Sequence, residues 1–197
     1  ENLSLLPNYS FTVSSFAGFK NIMISKTGYT GSGGYELYIP NDSAIHVWDA
    51  LFTKNEFDLK PIGLAARDTL RIEMGYCLYG NDINENTSPE EANLRWITKV
   101  ETNFIGSVII NNQIQDGCNK KLVGFKLTEK SIPRKGYKIF SRDNELIGHV
   151  TSGTFSPLLK KGIGLAYINC INLKDDLIYI KIRNNLNEAE IVKTPFI

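Results

Sequence analysis

This chain of 197 residues has three cysteines, two histidines and almost no surplus of charge. Cys77, Cys118 and Cys170 stand far apart with no C-x-x-C pair. An odd, scattered set fits reduced thiols in a cytoplasm-like compartment better than a disulfide framework. His46 and His149 are too few to build a histidine metal site, so no metal is expected. With 22 Lys+Arg against 21 Asp+Glu, no global field recruits nucleic acid or an anionic membrane. No apolar run is long enough to span a bilayer, and "ENLSLLPNYS" lacks the basic-then-apolar order of a secretion signal. The opening glutamate, in place of an initiating methionine, suggests a fragment or a processed chain. Internal repeats and low-complexity segments are lacking too. What is present is ordinary soluble composition, 42% hydrophobic and 22% charged. The length suffices for one large domain or two small ones.

Glycine is concentrated in "TGYTGSGGYELYIP", residues 27–40. A phosphate-binding P-loop would end in Gly-Lys-Ser/Thr, whereas Gly33-Gly34 precede Tyr35-Glu36. The dinucleotide fingerprint would place a third glycine at Glu36 and a helix where Tyr35–Ile39 reads as a strand. The glycines read instead as a hairpin turn between strands "NIMIS" (21–25) and "YELYI" (35–39), supplying positive φ. Glu36 and Tyr38 then share one face of the second strand. From these residues alone, Glu36 is either a solvent-facing glutamate on an edge strand or a carboxylate with a bound partner.

"NDSAIHVWDALFTK" predicts a helix capped by Asn41 or Asp42, with Ile45, Trp48, Leu51 and Phe52 as its apolar stripe and His46 solvated. "PIGLAARDTLRIEMG" predicts a second, with Pro61 in its first turn, Gly75 at its end, and Ile62, Ala65, Ala66 and Leu70 buried. Arg67 and Arg71 lie four apart and repel, so each calls for an anionic partner. The polar stretch 79–96 has acidic spacing loosely like a calcium loop, but Thr87 and Asn93 stand at its sixth and twelfth positions and exclude it. "FIGSVIINNQI" (104–114) predicts a short connecting helix. From Lys121 onward, helical periodicity gives way to "KLVGFKL", "GYKIFS", "LIGHVTSG", "KGIGLAYI", "LIYIKIR" and "EAEIVK". These are the short strands of an antiparallel barrel or sandwich, placing a boundary near 115–120.

Five blocks, "TGYTGSGGYE", "GLAARDTLRIEMGYCLYGNDINENTSPEEANLRW", "FIG", "GHVTSGTFSP" and "VKTPF", occur in this order. Together they resemble the aminomethyltransferases, or T-proteins, of the glycine cleavage system. The resemblance spans essentially the whole chain but only about half of a typical member, ending where the family ends. It implies an α+β fold: a partial folate-binding α+β region of ferredoxin-like character (1–100), a helical connector (101–117) and a C-terminal antiparallel β-barrel domain (118–197). It also implies transfer of the one-carbon unit from an aminomethyl group on lipoylated H-protein to tetrahydrofolate. The products are methylene-tetrahydrofolate, ammonia and the reduced lipoyl arm.

Residue by residue, the resemblance places the pterin-binding glutamate at Glu36, where a carboxylate would accept two parallel N–H bonds from the pterin edge. Arg67 matches an arginine expected to contact folate. Tyr76 and Trp96 match aromatic positions near the same site, for which plain core packing is the other reading. Arg134 matches a basic barrel position and also reads as a surface charge. Two departures lie beside Glu36: Ser32-Gly33 replace an acidic pair, and Lys26 replaces an arginine. The family's aspartate near the reacting carbon belongs to a portion preceding this chain, so no catalytic residue is assigned and the chain alone is expected to be inactive.

Related folate domains of dimethylglycine or sarcosine dehydrogenases, and the folate-binding protein of iron–sulfur assembly, share the architecture and remain open. So does a non-catalytic binding module. Expected partners are tetrahydrofolate and lipoylated H-protein, with no metal, nucleic acid or membrane. The expected compartment is a bacterial cytoplasm or a mitochondrial matrix.

Overall fold

The computed structural model describes residues 2–53, 57–172 and 175–197. The chain divides into two compact units, Glu1–Arg67 and Asp68–Ile197.

The first unit is built on a three-stranded antiparallel sheet of β1 (Phe11–Phe16), β2 (Phe19–Ser25) and β3 (Glu36–Tyr38), in that order. β1 adds a strand that "FTVSSF" did not announce. Ala17 and Gly18 join it to β2, both with positive φ (52° and 85°), as a two-residue hairpin turn requires. The register pairs Val13 with Met23 and Met23 with Tyr38. Residues paired directly share a face, and all three are exposed, whereas Ile22 and Ile24 point the other way and are buried. β2 and β3 do form the expected hairpin, but through a loop of ten residues rather than a tight turn. Among its glycines only Gly31, at φ 76°, has a positive φ.

α1 (Asn41–Thr53) follows; Lys54, the last residue of the expected helix, lies outside the described residues. Its buried residue is Val47, while Ile45 and Trp48 of the expected stripe are exposed and Leu51 and Phe52 are half-buried. His46 is exposed, as expected.

α2 (Leu64–Glu73) is shorter than its sequence pattern and starts beyond Pro61. Its buried residues are Arg71, Ile72 and Glu73, not the Ile62–Ala65–Ala66–Leu70 stripe, of which Ile62 is exposed. Gly75 ends it as expected. Gly75 N donates to Ile72 O (2.8 Å) and Tyr76 N donates to Arg71 O (2.8 Å), the paired bonds of a helix terminus with a left-handed glycine. The stretch that follows is held by local polar contacts. Ser88 N donates to Glu91 Oε2 and Glu91 N to Ser88 Oγ, each at 3.1 Å, a reciprocal capping box. α3 (Ser107–Asp116) occupies the expected position between two left-handed glycines, Gly106 and Gly117.

The last six strands form a closed antiparallel barrel in the order β4-β7-β6-β5-β8-β9. They are β4 (Lys120–Leu127), β5 (Lys138–Phe140), β6 (Leu146–Ser156), β7 (Lys161–Asn169), β8 (Leu177–Ile182) and β9 (Asn185–Val192). All six correspond to strands expected from the sequence. Phe125, Ile139, Val150, Ile168, Ile178 and Ile180 are central to its core. β6 carries one extra residue: Val150 pairs with Ala166 and Ser152 with Leu165, leaving Thr151 as a bulge that kinks the strand.

Segments outside the barrel belong to the same unit. Leu122 N donates to Glu91 O (2.8 Å) and Phe196 N to Glu73 O (2.8 Å), while Ser156 Oγ donates to the buried Glu73 carboxylate. Gly75 lies at the centre of this packing: its φ is +70°, and a Cβ there would sit 2.5 Å from the Cβ of Thr194. Gly75→Ala combines left-handed strain with overpacking and should destabilise the second unit by about 2–4 kcal/mol. Thermal unfolding followed by circular dichroism checks this; an unchanged melting temperature would mean that the helix end tolerates a side chain.

Candidate functional site

Two polar groupings stand out, one in each unit. In the first, β3 begins at Glu36, paired across the ladder with Ser25. Glu36 is half-buried, not a fully solvated edge residue. Thr27 Oγ1 donates to Glu36 Oε2 in a short hydrogen bond. Thr27 Oγ1 also lies 3.0 Å from Ser25 Oγ, whose own hydroxyl donates to Ser10 O at 3.5 Å. The Thr27 hydroxyl thus aims the carboxylate. Tyr35, beside it, donates its hydroxyl to Leu3 O at 2.8 Å.

Arg67 reaches the same loop. Its guanidinium lies over the Tyr29 ring, 4.9 Å from the centroid, within cation–π range. The nearby carboxylates on α2 are engaged elsewhere: Asp68 pairs with Arg71, and Glu73 accepts from Ser156. Glu36 through Thr27 and Arg67 through Tyr29 therefore converge on the Thr27-Gly28-Tyr29 corner, putting a carboxylate and a guanidinium on one short loop. Tyr76 and Trp96 belong to the second unit. Tyr76 is at the edge of exposure, and Trp96 is 81% exposed, which removes the core-packing reading for Trp96. Arg134 is exposed, in keeping with a surface charge.

The second grouping centres on residues that sequence reasoning did not select. Arg71 and Asp82 have side chains only 1% and 0% exposed and are paired at 2.7 Å. Burying a guanidinium requires that its nitrogens find acceptors, and all three do. Nε and Nη2 reach Asp68 Oδ1 at 2.8 and 2.7 Å. Nη1 donates to Tyr76 O (3.0 Å) and Asp82 Oδ2 (2.7 Å), and Nη2 also donates to Ser152 Oγ (2.8 Å). Asp82 Oδ2 accepts further from Leu78 N and Ser152 Oγ, each at 2.9 Å, and its Oδ1 accepts from Thr151 Oγ1. The bulge in β6 explains how two consecutive residues, Thr151 and Ser152, reach one carboxylate: an extra residue re-aims the side chains beside it. The only hint in the sequence was the requirement that Arg71 have an anionic partner. The distance along the chain to Asp82 concealed which one.

Among the described residues, no group of three or more His, Cys, Asp or Glu side chains is arranged to hold a metal ion. No described helix is long and apolar enough to cross a membrane. None of the three cysteines is joined in a disulfide. Cys77, packed with Leu122, Leu165, Tyr167 and Phe196, is pushed up to about 11, first by burial and then by the Asp82 charge, with Arg71 partly offsetting.

Similarity to known proteins follows the same two-part plan. The GCVT N-terminal domain matches residues 2–102, and the glycine cleavage T-protein C-terminal barrel domain matches residues 120–197. An aminomethyltransferase of Flavobacterium psychrophilum is 49% identical over 97% of this chain and 54% of its own length. One from Bacteroides thetaiotaomicron is 50% identical over 99% of this chain and 55% of its own. The crystal structure of glycine cleavage system aminomethyltransferase T from Bartonella henselae superposes with a TM-score of 0.85 at 28% identity, covering 98% of this chain and 54% of that one. The chain thus spans about half the length of these relatives.

The raised Cys77 pKa gives a pH test. The folded thiol resists ionisation while an unfolded one, near 9, does not. This contribution to stability is therefore intact below about pH 9 and is lost as the pH rises toward 11. At pH 8, iodoacetamide should modify Cys77 far more slowly than a free thiol, with Cys77→Ala identifying its peptide by mass spectrometry. Rapid labelling of the folded chain would contradict the burial.

Proposed function

Because the chain belongs to the glycine cleavage T-protein family, we propose that it supplies the pterin-binding part and the barrel of a folate-dependent aminomethyltransferase. The carrying observation is the half-buried Glu36 carboxylate, aimed by Thr27 beside the Arg67–Tyr29 corner. A reduced pterin presents a ring N–H next to an exocyclic amine, two parallel donors. A carboxylate accepts both at once, and Thr27 takes only one of its roughly four acceptor directions. Arg67, exposed and carrying a fork of donors, is suited to the carbonyl or carboxylate oxygens of folate. Tyr76 and Trp96, which belong to the second unit, enter this reading by the family resemblance alone.

In the reaction proposed for the whole protein, the aminomethyl carbon on lipoylated H-protein leaves both its sulfur and its nitrogen. It forms two C–N bonds to tetrahydrofolate. The two folate N–H protons go to the lipoyl sulfur and to the departing ammonia, which balances the transfer without an oxidant. The residues of this chain would bind and orient the acceptor. Three cysteines outside any disulfide suit a reducing compartment, a bacterial cytoplasm or a mitochondrial matrix.

Titrating tetrahydrofolate into the chain tests the reading. Glu36→Gln keeps the shape but opposes an amide N–H to a pterin N–H and removes charge assistance. Binding should weaken by about 2–4 kcal/mol, roughly thirtyfold to a thousandfold, with the melting temperature unchanged. Arg67→Ala should weaken it less. Wild-type affinity in Glu36→Gln would return Glu36 to an ordinary strand residue.

Turnover is a separate expectation. Positioning of reacting groups supplies roughly 7–11 kcal/mol of a barrier, and the relatives are about twice as long as this chain. Incubated with lipoylated H-protein and tetrahydrofolate, the 197-residue chain should release no ammonia above background. Measurable release would show that its own residues complete the site.

A further inference from the structure

We propose that the outer face of the three-stranded sheet in the first unit is an interface, covered in the whole protein by polypeptide that this chain does not span. The register defines the face. Phe11, Ser25 and Glu36 lie side by side across the three strands, and Val13, Met23 and Tyr38 form the next row. Directly paired residues share a face, so all six project from one side. Four of them are large, apolar or aromatic and open to solvent: Phe11 is 61% exposed, Tyr38 57%, Val13 51% and Met23 37%.

β1 supplies the stronger sign, because its alternation is inverted. An antiparallel sheet with one solvated face turns apolar residues inward and polar ones outward. β1 does the reverse. Thr12 and Ser14 share the side of buried Ile22 and Ile24, while Phe11 and Val13 face solvent. Sliding the strand by one residue would exchange the two sets, yet the pairing holds the apolar set outside. A strand so written suits a sheet that is covered on both faces. Left open, a contiguous apolar surface of this kind marks a protein contact.

Length and charge choose the occupant. The chain spans 54% and 55% of two aminomethyltransferase relatives, which leaves nearly half of their polypeptide to act as cover. A second copy of this chain fits the face less well. Glu36 is the one charged residue in the two rows. A symmetric face-to-face dimer would therefore bring two carboxylates to the interface with no cation from either face, and burying charge without a partner is costly. Folate binding plays no part in this assignment, which rests on family membership and the sheet alone.

The test compares the 197-residue chain with a full-length hybrid, in which it replaces the matched stretch of the Flavobacterium psychrophilum relative. Val13→Cys and Met23→Cys are labelled with a maleimide, with Trp48→Cys, at an exposed position of α1, as the control. Peptide mapping separates each from the native cysteines. In the chain all three should label quickly. In the hybrid the two sheet thiols should slow at least about tenfold while the control does not. Val13→Asp gives an independent readout: the chain's melting temperature should hardly change, whereas the hybrid's should fall by several degrees, because there the carboxylate is buried. Sheet thiols that stay fast in the hybrid, or a control that slows equally, overturn the proposal. Slow labelling in the chain itself also overturns it: at all concentrations the cover comes from within the chain, and only at high concentration it is a second copy. If the hybrid does not fold, the same labelling is read on the chain co-expressed with the unmatched part of that relative, where unprotected sheet thiols again overturn the proposal.

Discussion

The buried contact between Arg71 and Asp82 is the constraint on which the second unit depends. It joins the end of α2, the loop that follows and the bulged strand β6. Neither charge could be buried alone: removing one partner of such a pair typically costs about 3–5 kcal/mol, because the other is left uncompensated. Every donor of the guanidinium and both oxygens of the carboxylate must be met, and meeting them fixes where each contributing segment runs. The bulge at Thr151 lets two consecutive residues present their hydroxyls to one carboxylate. The fold has accepted a local break in pairing to satisfy a charge.

The first unit solves a smaller version of the same problem. Glu36 is only half-buried, so one hydroxyl suffices where Asp82 needs a full shell. The difference in burial sets the difference in availability. Asp82 is used up within the protein, whereas Glu36 keeps acceptor capacity for something outside it. Under the proposed folate chemistry, the half-buried carboxylate recognises the ligand, while the buried one holds the fold.

The barrel was the most legible part of the sequence, because its strands are short, β-rich and separated by strong turn residues, and all six were found in place. The helices were legible as elements but not as faces. Counting only apolar residues put the buried side of α2 at Ile62 and Ala65, whereas Ile72 is buried together with two charged neighbours, Arg71 and Glu73. A pattern that treats every charge as surface cannot see such a face. α1 was misjudged more simply, since its one buried residue, Val47, is flanked by exposed Ile45 and Trp48. The bulge at Thr151 leaves no compositional trace. Glu36 and Arg67 were singled out by resemblance rather than periodicity, and their convergence on Thr27–Tyr29 is a property of the folded loop alone.

The barrel is shut by β4, which pairs on one side with β7 and on the other with β9, so that Gly124 meets Val192. β6 with β7 and β8 with β9 are near neighbours in sequence and can zip early, but that last seam joins residues far apart along the chain. The entropy of closing so long a loop is met only when the other strands have gathered. Phe196, just past the seam, donates its amide to Glu73 O at the end of α2. Closure of the cylinder and sealing of that helix end therefore draw on one short stretch of chain, so a change that loosens the seam reaches the end of α2 as well.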